Sequence, residues 1–222
     1  MLTSYMVASY SKGGKSKGLM VEPKHYAFNH QEANRSGVST FFTEQSGREN
    51  ELRGFQMAMQ NNYAQGVMTA FNRIGTVFAG AHEGALIQIA REEWGYEGWI
   101  VTDMINGADY MNWRDTTAAG GGNMLTETAY ENAEIGTMAA SKDLIAKDTY
   151  FQEMMKYNIK FWLYQLVQSN AMNGLTSNTE IQYVTTWWQN ALSAAVTVTA
   201  ILTVLSLAMY AVVSVKPAKK KD

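Results

Sequence analysis

The sequence predicts an α/β chain: part of a (β/α) TIM-type barrel with parallel strands, followed by a single C-terminal transmembrane helix. Three observations predict it. Short apolar runs alternate with amphipathic stretches of helical period, the pattern of parallel βα units. Those runs end in polar residues, at Lys24-His25, Asn72-Arg73 and Asp103, as barrel strands do where they open together on one face. Finally, Ala191 to Val215 contains no charged residue.

The elements follow in order. "GLMVEPKHYAF" reads as a short strand around Leu19 to Val21, leading through Glu22 and Pro23 to Lys24 and His25. "TEQSGRENELRGFQMAMQNN" reads as helix, with Thr43 placed to cap it and apolar positions at Leu52, Phe55, Met57 and Met59. "GVMTAF" is a strand ending near Asn72 and Arg73, "EGALIQIAREEW" a helix closed by Gly95, and "GWIVTD" the next strand. The glycine-rich "AAGGGNML" reads as a loop, before helices at about Glu127 to Ala146 and Tyr150 to Ser169. Residues 1–175 therefore make a partial barrel, 176–190 a juxtamembrane linker, 191–215 the membrane helix and 216–222 a basic tail.

The apolar segment is long enough to cross a bilayer, which takes about 20 residues. Trp187 and Trp188 precede it and "KPAKKK" follows it, the flanks expected of a membrane span rather than a buried core helix. Its serines and threonines satisfy themselves by bonding back to helix carbonyls. The lysines belong in the cytoplasm by the positive-inside rule, which puts the soluble part outside a bacterial cell membrane, crossed once. "MLTSYMVASYSKGGKSKG" lacks the continuous apolar core of a signal peptide, so the chain either inserts by its tail or is the C-terminal piece of a longer exported protein, and the soluble part favours the second.

Composition narrows the chemistry. The 222 residues suffice for one domain with a sizeable core, and a net charge of -2 gives no electrostatic case for nucleic acid. With no cysteine, disulfides, thiolate zinc sites and thiol nucleophiles are excluded. His25, His30 and His82 do not fall at a ligand spacing, so no metal and no cofactor is expected.

Three blocks, "KHYAFNHQEANRSGVSTFFTEQSGRENELRGF", "GVMTAFNRIG" and "REEWGYEGWIVTDM", occur in an order and at a spacing that resemble the catalytic barrel of the family 3 glycoside hydrolases, which include β-glucosidases, β-xylosidases and N-acetyl-β-glucosaminidases. The resemblance spans about residues 1 to 175. It implies that Asp103 is the nucleophile of a retaining enzyme, forming a glycosyl-enzyme intermediate, and that Lys24 and His25 bind hydroxyls of the sugar in the catalytic subsite. An ammonium near that carboxylate would also keep it ionised. The resemblance also implies substrate-binding positions for Phe71, Asn72 and Arg73, which share one loop, and for Met104, which follows the nucleophile. Bland roles stand beside these: a cap or ion pair for Asp103, simple packing for His25, a structural ion pair for Arg73, and shell packing for Trp94 and Trp99.

The departures matter equally. Met104 stands where a tryptophan is common, Phe71 lacks the phenol of the usual tyrosine, and the family's early strands have no counterpart. No acid/base is assignable; Glu83, Glu92, Glu93 and Glu134 are available but out of context. A few βα units leave open edges that need a complement. The expected function is thus a membrane-anchored fragment of an exo-acting β-glycosidase that hydrolyses terminal β-linked sugars of oligosaccharides. As an isolated chain it should be inactive without a complementary chain or domain bringing early strands and acid/base. The alternative is a non-catalytic membrane-anchored protein that uses a decayed barrel for carbohydrate binding or subunit pairing.

Overall fold

The computed structural model describes residues 1–105, 110–125, 146–173, 175–176, 178–180 and 182–214, divided into two compact units, Met1–Gly174 and Leu175–Asp222. The helix expected at Glu127 to Ala146 lies almost wholly outside the described residues, as does Glu134.

The first unit opens with α1 (Leu2–Lys15), which the sequence reading did not predict. Its serines and glycines are poor helix formers, but small residues let it approach closely. Ser4, Ala8 and Ser11 are buried, and the Ser4 hydroxyl donates to the Arg53 carbonyl at 2.5 Å. Packing, not propensity, makes this helix.

The expected strand at Leu19 to Val21 is displaced to β1 (Lys24–Tyr26). Gly18, at φ +74°, turns the chain there, and Leu19 is left exposed. The carbonyls of Val21 and Pro23 still accept from Gly66 and Met68, so the approach to β1 is hydrogen-bonded on that side before the strand begins. After β2 (Ser39–Thr40), Thr43 caps the helical run as expected, accepting the Ser46 N–H at 3.3 Å. The run continues as α2 (Glu44–Ser46), a wide turn α3 (Gly47–Leu52) and α4 (Arg53–Gln60).

β3 (Gly66–Thr69) is buried at every position, as a central parallel strand covered on both faces should be. β4 (Arg73–Ile74) and β5 (Val77–Phe78) join β2 in a small three-stranded sheet. The wide helix α5 (Gly84–Glu93) ends at Gly95, φ +61°, as expected. β6 (Trp99–Ile105) then pairs with β3 in parallel, Gly66 opposite Trp99 and Thr69 opposite Thr102.

The glycine-rich stretch corrects a second expectation. After α6 (Trp113–Ala118), Gly122–Leu125 is not loop but β7, pairing parallel to β6. A Cβ on Gly122 would stand 3.3 Å from the Ile100 carbonyl, so glycine permits the close strand approach here. The main sheet runs β1-β3-β6-β7, all parallel. Between sheet and helices lies a core of Tyr26, Met59, Val67, Leu86, Trp94 and Ile100. α7 (Thr149–Val167), close to its expected span, has Phe151 edge-on to Trp113 at 5.0 Å.

In the second unit, α8 (Trp187–Ser214) starts four residues before the expected boundary and takes Trp187 and Trp188 into its first turn. Thr197, Thr199 and Thr203 each donate to the carbonyl four residues back, at 2.8, 2.7 and 2.8 Å. An 18-residue window of this 28-residue helix has mean hydropathy 2.2, and the helix has no buried residue. Its length, about 42 Å at 1.5 Å per residue, exceeds a hydrocarbon core of about 30 Å.

Candidate active site

Parallel pairing puts the far ends of β1, β3 and β6 side by side, with a register irregularity in β1, and His25, Asp103 and the segment from Phe71 to Arg73 lie toward that end. Asp103 is the fifth residue of β6, not its last; the strand runs on to Ile105. Extended geometry alternates side chains, so Asp103 turns inward while Met104 is 49% exposed.

Asp103 is buried, and both carboxylate oxygens are engaged. Oδ1 accepts the Met104 N–H at 2.8 Å, and Oδ2 lies 3.1 Å from His25 Nε2. Burial lowers the His25 pKa below its usual value; Asp103 opposes that, and Lys24 and Arg35 add to it. The imidazole is therefore neutral at pH 7, with Nε2–H donating to the carboxylate. This arrangement answers the cost of burying a charge at the strand end, because each oxygen has a donor.

Lys24 stands apart from this pair. It is exposed and forms no ion pair with Asp103. It lines a groove of about 420 Å³ beside α1, with Val7, Tyr10, Glu22 and Phe55, and Asp103 is not among its walls. The structure therefore does not bring Lys24 against the carboxylate; its charge acts on His25 instead.

Phe71 and Asn72 are buried, and Asn72 Oδ1 has no hydrogen-bond partner among the described residues. Arg73 donates to the Gly37 carbonyl at 2.7 Å and stacks 4.5 Å from the Tyr110 ring centroid. Among the described residues these two contacts are what holds Arg73. Tyr110 in turn donates to the Phe71 carbonyl at 2.9 Å, clamping the loop after β3.

Arg35 was not singled out from sequence. Its guanidinium lies 4.7 Å from the Phe71 centroid, and its charge acts on His25. The signal available was its place inside the longest block, eleven residues after Lys24; only the folded loop returns it to the site. Among the other carboxylates, Glu93 is held by Arg48 at 2.6 and 2.8 Å and Glu51 by His30 at 2.5 Å. Trp94 packs against Tyr26, 6.3 Å between centroids, in the shell as expected.

Residues 1–120 match the family described as glycosyl hydrolase family 3 N terminal domain. Among curated proteins, the probable beta-glucosidase J of Emericella nidulans is 38% identical over 103 residues, 46% of this chain and 12% of that protein. The beta-glucosidase of Ruminococcus albus is 31% identical over 102 residues, 11% of its length. Among solved structures, beta-glucosidase 3B from Thermotoga neapolitana in complex with glucose superposes with a TM-score of 0.67 and 28% identity, covering 76% of this chain and 23% of that one. The chain thus spans a small part of the length of these relatives. By its matched segment and its parallel α/β sheet, the chain belongs to glycosyl hydrolase family 3.

Proposed function

We propose that this chain carries the nucleophile of a retaining, exo-acting β-glycosidase, with Asp103 in that role. The observation that carries the reading is the paired Asp103 carboxylate at the ends of parallel strands, His25 on one oxygen and a backbone amide on the other. One oxygen attacks C1 of a terminal β-linked sugar as the C1–O bond to the leaving group breaks. The departing oxygen takes its proton from an acid on a complementary chain or domain, about 5 to 5.5 Å from the nucleophile in retaining enzymes. Water, deprotonated by the same group, then releases the sugar from Asp103.

His25 Nε2–H is placed to orient the carboxylate and to turn toward a sugar hydroxyl. Arg35 and Arg73 are the cations that border the site, and Lys24 acts from the neighbouring groove through its charge on His25. Asn72 carries a buried acceptor, Phe71 is buried under the Arg35 guanidinium, and Met104 offers exposed apolar surface to the ring and its aglycone. Residues 1–175 are then a partial barrel whose outer strands β1 and β7 need a complement, and the isolated chain lacks turnover. The length and apolarity of α8 support a single-pass anchor, with residues 216–222 cytoplasmic and the first unit outside.

The test is complementation. The chain is produced alone and together with a segment that supplies early strands and an acid/base, and aryl β-glycoside hydrolysis is measured. The expected result is turnover only in the second case, with a 2-fluoro glycoside labelling Asp103. Sugar binding without turnover or label would assign the chain to the non-catalytic carbohydrate-binding reading instead. Full activity of Asp103→Asn would end the nucleophile assignment.

A further inference from the structure

We propose that the end of the first unit where its parallel strands begin is a docking surface for an anionic lipid bilayer; the inference rests on the membrane-anchor reading above. Three contacts define that end. The Val21 carbonyl accepts from Gly66, the first residue of β3, at 3.2 Å, and Val21 lies against the last turn of α1 at Gly14. Gln165, in the last turn of α7, donates to the Glu97 carbonyl at 3.0 Å, two residues before β6. Asn170 joins the two helix ends, its N–H donating to Gly18 O at 2.9 Å and its amide to Lys17 O at 2.5 Å.

Apolar side chains are exposed on this end: Leu19 at 60%, Leu163 at 47%, Val167 at 61% and Met172 at 37%. Among the described residues of the unit, these four side chains stay largely open to solvent. Basic groups accompany them, since α1 has no acid in its first turn and ends on Lys12 and Lys15, with Lys17 just beyond. Lys15 donates to the Asn62 carbonyl at 2.6 Å, and Lys12 lies over Tyr63, 5.5 Å from its centroid. Glu97 is an acid at the same end. Apolar tips mixed with ammonium groups suit the headgroup boundary of anionic lipid, where each side chain finds its own solvent.

Covalent reach selects the bilayer over a soluble partner. Met172 is followed within fifteen residues by Trp187, the start of the apolar helix, so the tether spans at most about 50 Å. A face held that close meets lipid at high effective concentration. Asp103 is six residues along the chain from Glu97, about 20 Å of strand away, so the nucleophile would face the solution that carries the sugar.

The absence of cysteine allows single labels. Full-length Leu19→Cys, Val167→Cys, Phe41→Cys and Leu205→Cys variants are given a fluorophore and reconstituted in mixed phosphatidylglycerol and phosphatidylcholine bilayers containing spin-labelled lipid. Phe41, 76% exposed, follows Thr40, whose hydroxyl donates to Phe28 beyond the far end of β1, and so serves as the opposite pole. Quenching several-fold deeper at Leu19 and Val167 than at Phe41, reduced by Lys12→Glu with Lys17→Glu, is the expected result. Equal quenching at Leu19 and Phe41 while Leu205 is quenched overturns the docking surface and leaves the anchor standing. No quenching at Leu205 overturns the anchor, and this inference with it. Concentration-dependent shielding of Leu19 in lipid-free detergent would assign the face to a second copy and also overturn it.

Discussion

His25 Nε2 lies 3.1 Å from Asp103 Oδ2, so that an imidazole on β1 and a carboxylate on β6 meet across the buried strand β3. The pair is electrostatically coupled, and the coupling has a sign. Asp103 favours the protonated imidazole, whereas burial and the Lys24 and Arg35 charges disfavour it.

Removing the carboxylate charge should therefore lower the His25 pKa further, and removing the Lys24 charge should raise it. NMR titration of the His25 ring in Asp103→Asn and in Lys24→Met checks both directions without any need for activity. An unchanged midpoint in both variants would mean that the pair is not formed in solution.

His82 supplies a second pH dependence. Its Nδ1 accepts the Ala85 N–H at 3.1 Å at the start of α5, which requires the unprotonated ring nitrogen, and burial lowers its pKa. A histidine with a lowered folded pKa takes up its proton in the unfolded state first as pH falls. Its contribution to stability is complete above the unfolded value of about 6.5 and is lost as pH falls from there through the folded value. His82→Asn keeps a capping acceptor and removes the titration, so the drop in Tm between pH 7 and pH 5 should shrink. His82→Ala should instead cost about 1 kcal/mol at pH 7 through the lost cap.

Gly80 is a packing requirement. A Cβ there would stand 2.7 Å from Phe78, 2.8 Å from Thr102 and 2.9 Å from Thr69, in the layer immediately below Asp103. Gly80→Ala should destabilise by about 1 to 3 kcal/mol, as overpacked cores do, measured by urea unfolding in a lipid-compatible detergent. A neutral substitution would show that the strand ends are less tightly packed than described.

Among the described residues, the buried cation Arg91 has no carboxylate partner. Its Nη1 donates to the carbonyls of Tyr96 and Gly98 at 2.7 and 2.5 Å, its guanidinium lies 3.7 Å from the Phe161 centroid, and burial pushes its pKa down to about 10. Arg91→Met would fill the space but leave those two carbonyls unpaired, at a cost of about 2 to 4 kcal/mol. Equal stability would mean that solvent reaches them.

The pattern of residues along the chain determined the cap at Thr43, the helix stop at Gly95, the strands β3 and β6, the apolar span of α8, and the three blocks that mark the family. Each depends on local chemistry: a side-chain acceptor, a positive φ, a run of apolar groups. Tertiary structure decided the rest. α1 exists because serine and alanine fit against Arg53 and Ala58, which its own propensities do not reveal. β7 is a strand because glycine fits beside Ile100. Arg35 joins the site only when its loop folds back over Phe71, while Lys24, adjacent to His25 in sequence, falls in a different groove. Neighbours in sequence share a backbone, but which side chains share a dielectric environment is set by packing between segments far apart in the chain.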